Sequence, residues 1–474
     1  MNFRTRPAIH MIVTLFCSFY IAGLVCIYMG KGLTLCIVSF IFIVGLIIKK
    51  NYTFLYILMI IATYLGYIRG ESVIQGRERL QKYSGQVITI TGNVSADPGI
   101  AKNSQQTLSI MNPLVNGVQE RGNILVLVPG SLKIQRGDRI RLEGSLISSS
   151  GRAPLAVNTD DVVIVQGDNR AVKIRNWFSE SVKKHVPEPE ASLGLGFLVG
   201  QKSSLPPQLI ESIQLLGLSH IIVASGYNLT VIIRFIRPKL FKISRFTALF
   251  GSMASVWLFT LITGFSPSML RASLVATLTL LTWYFGLRIN ALTAIVFTAF
   301  ITLLYNPAYI YGDIGWYLSF LSFFGVLVIA PQIEQFYFQH NKVGFIAKLV
   351  IETISALIMT LPLSLSLFGG ISPLVLVANL IVVPLIPLAM ILTGIAGLGG
   401  VLPGIFSFIA KPAELLIRMI VVIIEYMTSL PFAHIDFLMP GYVMYVFYGA
   451  IICALTIASY KNKKRIHESF IEVY

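Results

Sequence analysis

The chain has 474 residues, of which 55% are hydrophobic and only 12% charged, with a net charge of +16. A composition this apolar excludes a water-soluble globule and places the chain among polytopic membrane proteins. The basic total does not by itself indicate nucleic-acid binding, because the cytoplasmic loops of such proteins carry excess lysine and arginine.

Apolar segments of about 17 to 25 residues, long enough to cross a bilayer, recur from the start. The first three are residues 8–28, 33–48 and 54–68. Arg4 and Arg6 precede the first. No small-x-small cleavage site follows it and two further spans come at once, so it reads as retained rather than cleaved. Arg4, Arg6, Lys49 and Lys50 belong on the cytoplasmic side, with Lys31 alone opposite. Three crossings then put residues 69–185 outside the cytoplasm.

Between residues 83 and 166 the pattern changes to short β-rich runs, at 86–95, 106–115, 123–130, 138–148 and 161–166, separated by Gly, Pro, Asn and Asp. Apolar and charged residues alternate along Arg139-Ile140-Arg141-Leu142-Glu143, predicting one buried and one wet face. Five short strands fit a small barrel such as an OB-fold. Folds of that kind grip single strands through a basic groove and stacked aromatics. Lys133, Arg136, Arg139 and Arg141 supply the basic part, but no aromatic occurs between Tyr83 and Trp177. The domain is therefore either a weak, phosphate-directed DNA contact or a spacer with a solvated charged face. Residues 70–175 hold 13 Lys+Arg against 9 Asp+Glu, so most of the net charge lies elsewhere.

An amphipathic helix is expected over 173–186, with Trp177, Phe178 and Val182 near helical spacing, lying on the outer surface. Another helix begins at Pro206 and Pro207. It leads into GLSHIIVASGYN, residues 217–228, a polar cluster opening a long apolar half. Buried polar groups without partners cost roughly 2–7 kcal/mol, so a membrane protein that keeps them needs a path, a site or a helix contact there. Further spans are expected at 219–235, 246–264, 269–285, 289–304, 313–331, 348–368, 373–397, 412–430 and 442–460, about twelve in all. Pro384, Pro387 and Pro403 interrupt the stretch 373–410. Arg234, Arg237, Lys239, Lys242 and Arg245 crowd an inner loop, and the basic tail 461–474 ends inside. Both termini are thus expected in the cytoplasm.

Charged residues in or near these spans are Arg271, Asp313, Glu352, Glu414, Arg418 and Glu425, and Glu414 and Arg418 are spaced to pair on one helix. Cys17, Cys26, Cys36 and Cys453 all fall in spans, so no disulfide framework or zinc spacing arises.

Taken in order, the strings of the apolar half resemble the ComEC family of DNA-uptake competence proteins. Gly217, Leu218, His220, Ser225 and Gly226 match its first pattern, and Gly264, Pro267, Arg271 and Ala272 its second. Gly286-Leu287-Arg288, Asn306-Pro307, Leu318-Ser319, and Asn379-Leu380 with Pro384 follow in order. Asn228 stands where the family usually has histidine, and Trp316-Tyr317 where an F-Q pair is usual. Many members continue into a cytoplasmic metallo-β-lactamase-like domain held to be a nuclease. Its H-x-H-x-D-H motif is absent here, so a short form without that domain is expected.

The resemblance implies a polytopic α-helical membrane protein with an inserted extracytoplasmic OB-like β domain. The divisions are three leading spans (1–69), the β domain (70–170), interfacial helices (171–217), a channel domain (218–460) and the tail. It implies inward passage of single-stranded DNA in natural transformation, served by an outer DNA receptor and a cytoplasmic helicase-like ATPase. It also admits a separate nuclease and an oligomeric working unit. Lining the path are His220, Ser225, Gly226, Asn228, Arg271, Ser319 and Asn379, with Asn379 closing a buried hydrogen-bond network. No catalytic residue, metal ligand or cofactor is assigned, and no P-loop marks an internal motor. Two other classes fit some features. Ser225 near His220 invites an intramembrane serine protease, although the two sit on poorly matching helical faces. Many polar-bearing spans also suit a small-solute or lipid-precursor transporter, although no inverted repeat is visible.

Overall fold

The structure is a computed structural model that describes residues 7–29, 53–94, 99–100, 105–120, 123–129, 132, 134, 136–147, 155–159, 162–166, 170–200, 205–218, 226–263, 267–287, 289–338, 343–399 and 406–461. The expected second span, His220, Ser225, Lys133 and the basic tail beyond Lys461 lie outside the described residues. Two compact units are present. One comprises the described residues within Met1–Ile174, Gly264–Pro267 and Val296–Trp316, the other those within Arg175–Thr263, Ser268–Ile295 and Tyr317–Tyr474.

In the first unit, α1 (Pro7–Met29) and α2 (Thr53–Gln81) pack along their length. Glycines set their spacing: a Cβ on Gly23 would collide with the Thr63 carbonyl, and one on Gly66 with the Tyr20 carbonyl. Close backbone approach through small residues is how helices associate where lipid removes the hydrophobic drive between them. Helix α2 runs well past the expected end of its span at residue 68, because no Gly-Pro break intervenes before the turn at Tyr83 and Ser84. The phenol of Tyr311 donates to the Leu24 carbonyl at 2.8 Å, and Phe300 meets Phe16 and Tyr20 edge-on.

The same unit holds a nine-stranded sheet in the order β2-β3-β6-β8-β7-β1-β4-β5, with β9 also on β7. The strands are β1 (Val87–Asn93), β2 (Gly99–Ile100), β3 (Gln105–Met111), β4 (Leu114–Val115), β5 (Val118–Gln119), β6 (Asn123–Pro129), β7 (Arg139–Ile147), β8 (Leu155–Asn158) and β9 (Val162–Gln166). Strands β6 and β8 are parallel, and β1 runs antiparallel to β7 over seven residues. A single bridge, Val94 to Ile110, joins the end of β1 to β3. All five expected runs contain strands. Strand β8 falls outside those runs; its pairing with β6 is the parallel strand pair among the described residues, and the run 106–115 is broken. The chain turns at Asn112, whose φ is 49°, and Leu114 starts a separate hairpin. The core is built from Leu80, Ile88, Ile90, Leu108, Ile110, Ile124, Val126, Ile140, Leu142 and neighbours. Ile140 and Leu142 are buried while Arg139, Arg141 and Glu143 are exposed, the alternation read from the sequence.

The second unit is helical. Helix α3 (Arg170–His185) turns Phe178 and Val182 inward, the ring of Phe178 lying against Gly397, while Trp177 stays exposed. The Ser181 hydroxyl donates to the Gly397 carbonyl. Then come α4 (Glu190–Val199), α5 (Pro207–Leu215), α6 (Gly226–Phe241), α7 (Arg245–Thr263) and α8 (Pro267–Phe285); α9 (Ala291–Tyr305) begins in this unit and belongs to the first from Val296 on. A 3-10 turn (Pro307–Tyr311), part of the first unit, precedes α10 (Ile314–Phe324), which belongs to the second unit from Tyr317 on and passes through a π-helical turn (Gly325–Ile329) into α11 (Ala330–Phe338). The Asp313 carboxylate caps α10, accepting from the Trp316 amide at 2.7 Å. Helix α12 (Phe345–Phe368) is followed by α13 (Val375–Val382), a 3-10 turn (Val383–Leu385), α14 (Ile386–Gly399), α15 (Phe406–Thr428) and α16 (Gly441–Lys461). Two-residue strands β10 (Gly370–Ile371) and β11 (Ile435–Asp436) pair beside α12. Pro384 has no N–H to give the helical ladder, so the stretch continues through a tightened turn rather than breaking.

Among the described residues five helical stretches are long and apolar enough to cross a membrane: Tyr56–Gln81, Arg245–Thr263, Ile314–Phe338, Ile346–Leu367 and Val375–Leu398. Shorter apolar helices include Met11–Ile27, Ala291–Tyr305 and Gly441–Leu455. The protein is a helical membrane protein. Glu414 and Arg418, spaced to pair, form no ion pair among the described residues: both sit on α15, and Arg418 extends into exposed space.

Candidate functional site

One apolar core joins α4, α5, α6, α7, α8, α13, α14 and α15 in the second unit. Leu218 and Leu229, which flank the polar stretch read from the sequence, both belong to it. Gly217, at φ 66°, lets the chain turn out of α5 against Val375. Helix α6 starts at Gly226 beside α8, where a Cβ would stand 3.2 Å from the Ala272 side chain. The next polar residue, Asn228, is 1% exposed and donates from Nδ2 to the Phe197 carbonyl at 2.7 Å. Asn228 thus ties α6 to α4.

Arg271 is adjacent to Ala272 on α8. Its Nη1 donates to the Ser319 carbonyl on α10. The guanidinium lies 4.9 Å from the centre of the Phe323 ring and 5.8 Å from that of Phe320. Ring faces attract the cation and the carbonyl accepts a charge-assisted bond. Neither contact neutralises the charge, and no carboxylate pairs with Arg271 among the described residues. Two atoms here are buried without a hydrogen bond among the described residues: Arg271 Nε and the Ser319 hydroxyl oxygen. Buried polar atoms in native proteins nearly always have partners, so two such atoms in contacting residues mark a place equipped for another ligand or for water.

Hydroxyls that the sequence reading passed over line the same helices. Thr260 on α7 bonds Ser273 on α8, and Trp257 Nε1 donates to Thr277 Oγ1 at 3.1 Å. Ser273 lies two residues beyond Arg271, and the i, i+3 spacing of Thr260 and Thr263 within an apolar run was the available signal. Asn379 Nδ2 donates to the Val375 carbonyl, one turn back on α13, at 2.8 Å, and no hydrogen bond to Asn228, Arg271 or Ser319 is found among the described residues. On a helix the i−4 carbonyl is the nearest acceptor and wins.

A second grouping lies on the β sheet. Arg139 and Arg141 line a depression of about 350 Å³ with Thr89, Thr91, Leu114, Asn116 and Gly117. Asn116 and Gly117 form the tip of the β4–β5 hairpin, both at positive φ, and Asn116 Oδ1 accepts from the Thr89 amide at 2.9 Å. Asn-Gly between two apolar residues is the sequence signature of such a hairpin, and it was legible. Arg136, on the preceding turn, is partly buried and does not line the depression. No group of three or more His, Cys, Asp or Glu placed to hold a metal ion occurs among the described residues.

The sequence model of the competence protein family matches residues 197–462, more than half of the chain. The chain belongs to the competence protein family. The match starts at Phe197, the acceptor of the Asn228 bond, and takes in Arg271, Ser319 and Asn379. ComE operon protein 3 of Bacillus subtilis (strain 168) is 26% identical over 228 residues, covering 46% of this chain and 28% of that one. An uncharacterized protein of Aquifex aeolicus (strain VF5) is 25% identical over 255 residues, 53% of this chain and 58% of its own length. The chain thus spans between about a quarter and three fifths of these curated relatives.

Proposed function

We propose that this competence-family chain forms the membrane part of an inward path for single-stranded DNA in natural transformation. The observation that carries the reading is Arg271, a permanent cation inside an apolar bundle that, among the described residues, has no paired carboxylate and leaves both its Nε and the hydroxyl of its partner Ser319 without a hydrogen bond. Charged groups at membrane depth are expensive and mark ion or substrate pathways. A phosphodiester is the complementary anion, since a guanidinium fork fits its oxygens. Gly226 lets α6 start close against Arg271's helix, and His220 and Ser225 would extend the polar lane. Asn228 and Asn379 would frame it as helix-fixing residues rather than as contacts.

The β domain is proposed to be an OB-like barrel outside the cytoplasm, meeting the strand first. The parallel β6–β8 pair, the long β1–β7 ladder and the bridge closing β1 on β3 support that topology. Arg139 and Arg141, beside Thr89 and Thr91, are its phosphate contacts, and Lys133 and Arg136, close to them in sequence, would add positive charge. About twelve spans with both termini in the cytoplasm complete the reading.

An interior-negative potential opposes each phosphate by about 2.3 kcal/mol per 100 mV. A lane alone cannot offset that over many nucleotides, so a cytoplasmic ATPase must pull or an outer receptor must feed the strand.

Replacing Arg271 with Glu puts an anion where the phosphate would pass. Transformation by added DNA should be abolished while the protein stays in the membrane at its normal level. Normal transformation in that variant would remove Arg271 from the path. Normal transformation after deletion of the gene would remove the DNA reading altogether and favour a small-solute or lipid-precursor transporter.

A further inference from the structure

The hairpin of α6 and α7 carries Arg234, Arg237, Lys239, Lys242 and Arg245, with no aspartate or glutamate anywhere from Gly226 to Thr263. Its turn closes on the end of α8. The Arg237 guanidinium stands 5.1 Å from the centre of the Trp283 ring and that of Arg245 5.7 Å from the same ring. Phe241 meets that indole edge-on at 5.9 Å. The indole face offsets part of the cationic charge, but two guanidinium groups gathered on one ring repel each other until an anion joins them. Arg237 Nη1 is shielded from solvent and has no hydrogen-bond partner among the described residues. Arg234 has Glu352 within electrostatic reach and is not counted in the site.

What surrounds these cations identifies the anion. Phe235, Ile243 and Phe246 are each more than half exposed beside them. Basic, indole and bare apolar side chains together at helix ends are the composition of a membrane–water boundary. Free phosphate or a nucleic-acid strand would use the cations and leave this apolar rim in water. An acidic phospholipid uses both.

We infer that Arg237, Arg245 and Trp283 form a binding site for the headgroup phosphate of an acidic phospholipid, with Ile243 and Phe246 against its acyl chains. The guanidinium donors take the phosphate oxygens and the lipid links the ends of α6, α7 and α8. This site is separate from Arg271 and does not depend on the DNA reading.

The test uses the full chain purified in neutral detergent. Lipid retention is followed by native mass spectrometry and thermal stability, with phosphatidylglycerol, phosphatidylcholine, inorganic phosphate and a single-stranded oligonucleotide as separate probes. Phosphatidylglycerol should be retained and raise the melting temperature, and phosphatidylcholine and inorganic phosphate should not. Each basic residue near an anionic lipid surface contributes about fivefold in affinity, so Arg245→Gln should weaken phosphatidylglycerol about fivefold and the Arg237→Gln/Arg245→Gln pair about 25-fold. Arg245 is exposed, so the single variant remains a fair test if the pair does not fold. Equal retention of phosphatidylcholine, or undiminished phosphatidylglycerol binding in the Arg245→Gln variant, would overturn the assignment. So would loss of oligonucleotide binding in these variants with lipid binding intact, which would make the cluster a nucleic-acid contact.

Discussion

At the scale of single residues, the polar side chains of the bundle divide by what their hydrogen bonds are spent on. Asn228 and Asn379 give theirs to backbone carbonyls within the core. Among the described residues Arg271 keeps an unspent donor and its partner Ser319 an unspent hydroxyl. The sequence named all three, because polar residues in apolar runs are visible without a structure. It could not rank them, because the ranking depends on which carbonyl lies nearest after packing. Outside the spans, Glu188 accepts from the Ser192 amide at 3.1 Å and pairs with Lys183 at 3.0 Å. Burial pushes its carboxyl up, but the hydrogen bonds from Ser192 and Lys183 and the Lys183 charge outweigh that and hold it below the usual carboxylate range. A lowered folded value means stability that is complete above the unfolded carboxylate's titration and lost as pH falls through the folded one. Glu188→Gln should therefore flatten the acidic limb of a melting-temperature profile. The loss near neutrality should stay within about 1 kcal/mol, since the pair is half exposed. An unchanged acidic limb would show that the contact does not form in solution.

At the scale of elements, close approach decides the helix pairs. Gly23 and Gly66 place α1 and α2 backbone to backbone. Gly23→Val must push the helices apart, and overpacking of this kind costs roughly 1–3 kcal/mol. The expected outcome is a lower melting temperature and less protein in the membrane, read by blotting membrane fractions. Gly441→Val, at a position with open space around its Cα, should leave both unchanged. Helix existence was readable from apolar runs, and helix ends were less so. Helix α2 outran its expected span because the polar residues beyond Ile68 still favour a helix once the first turns are formed. Strand β8 is not legible in the sequence because LAVN is short and follows the turn-like stretch SSSGRAP. A four-residue segment acquires its strand state from the neighbours it pairs with, not from its own preference.

At the scale of the whole molecule, the β sheet has a core of its own, which begins at Leu80 rather than at Tyr83. A fragment of residues 80–166 is accordingly the unit to test for strand binding. With Arg139 and Arg141 each meeting one phosphate, log affinity should fall against log salt with a slope of about −1.4. Arg141→Ala should reduce that slope by about 0.7 and weaken all sequences alike. No binding at low salt would leave the domain a spacer. Titration by fluorescence anisotropy at several salt concentrations separates the outcomes.

The sequence by itself determined the class of this protein, its competence-family membership, the inserted β segment and the inventory of polar residues in the bundle. The family follows from its sequence match over residues 197–462; the other features are written in composition and spacing, which survive without coordinates because each depends on residues close together along the chain. Tertiary structure alone decided that Arg271 reaches Ser319 across 48 positions, that β8 supplies the parallel pairing, and that two arginines from different helices share the ring of Trp283. Contacts between residues far apart in sequence depend on how helices and strands pack, and no local pattern encodes that.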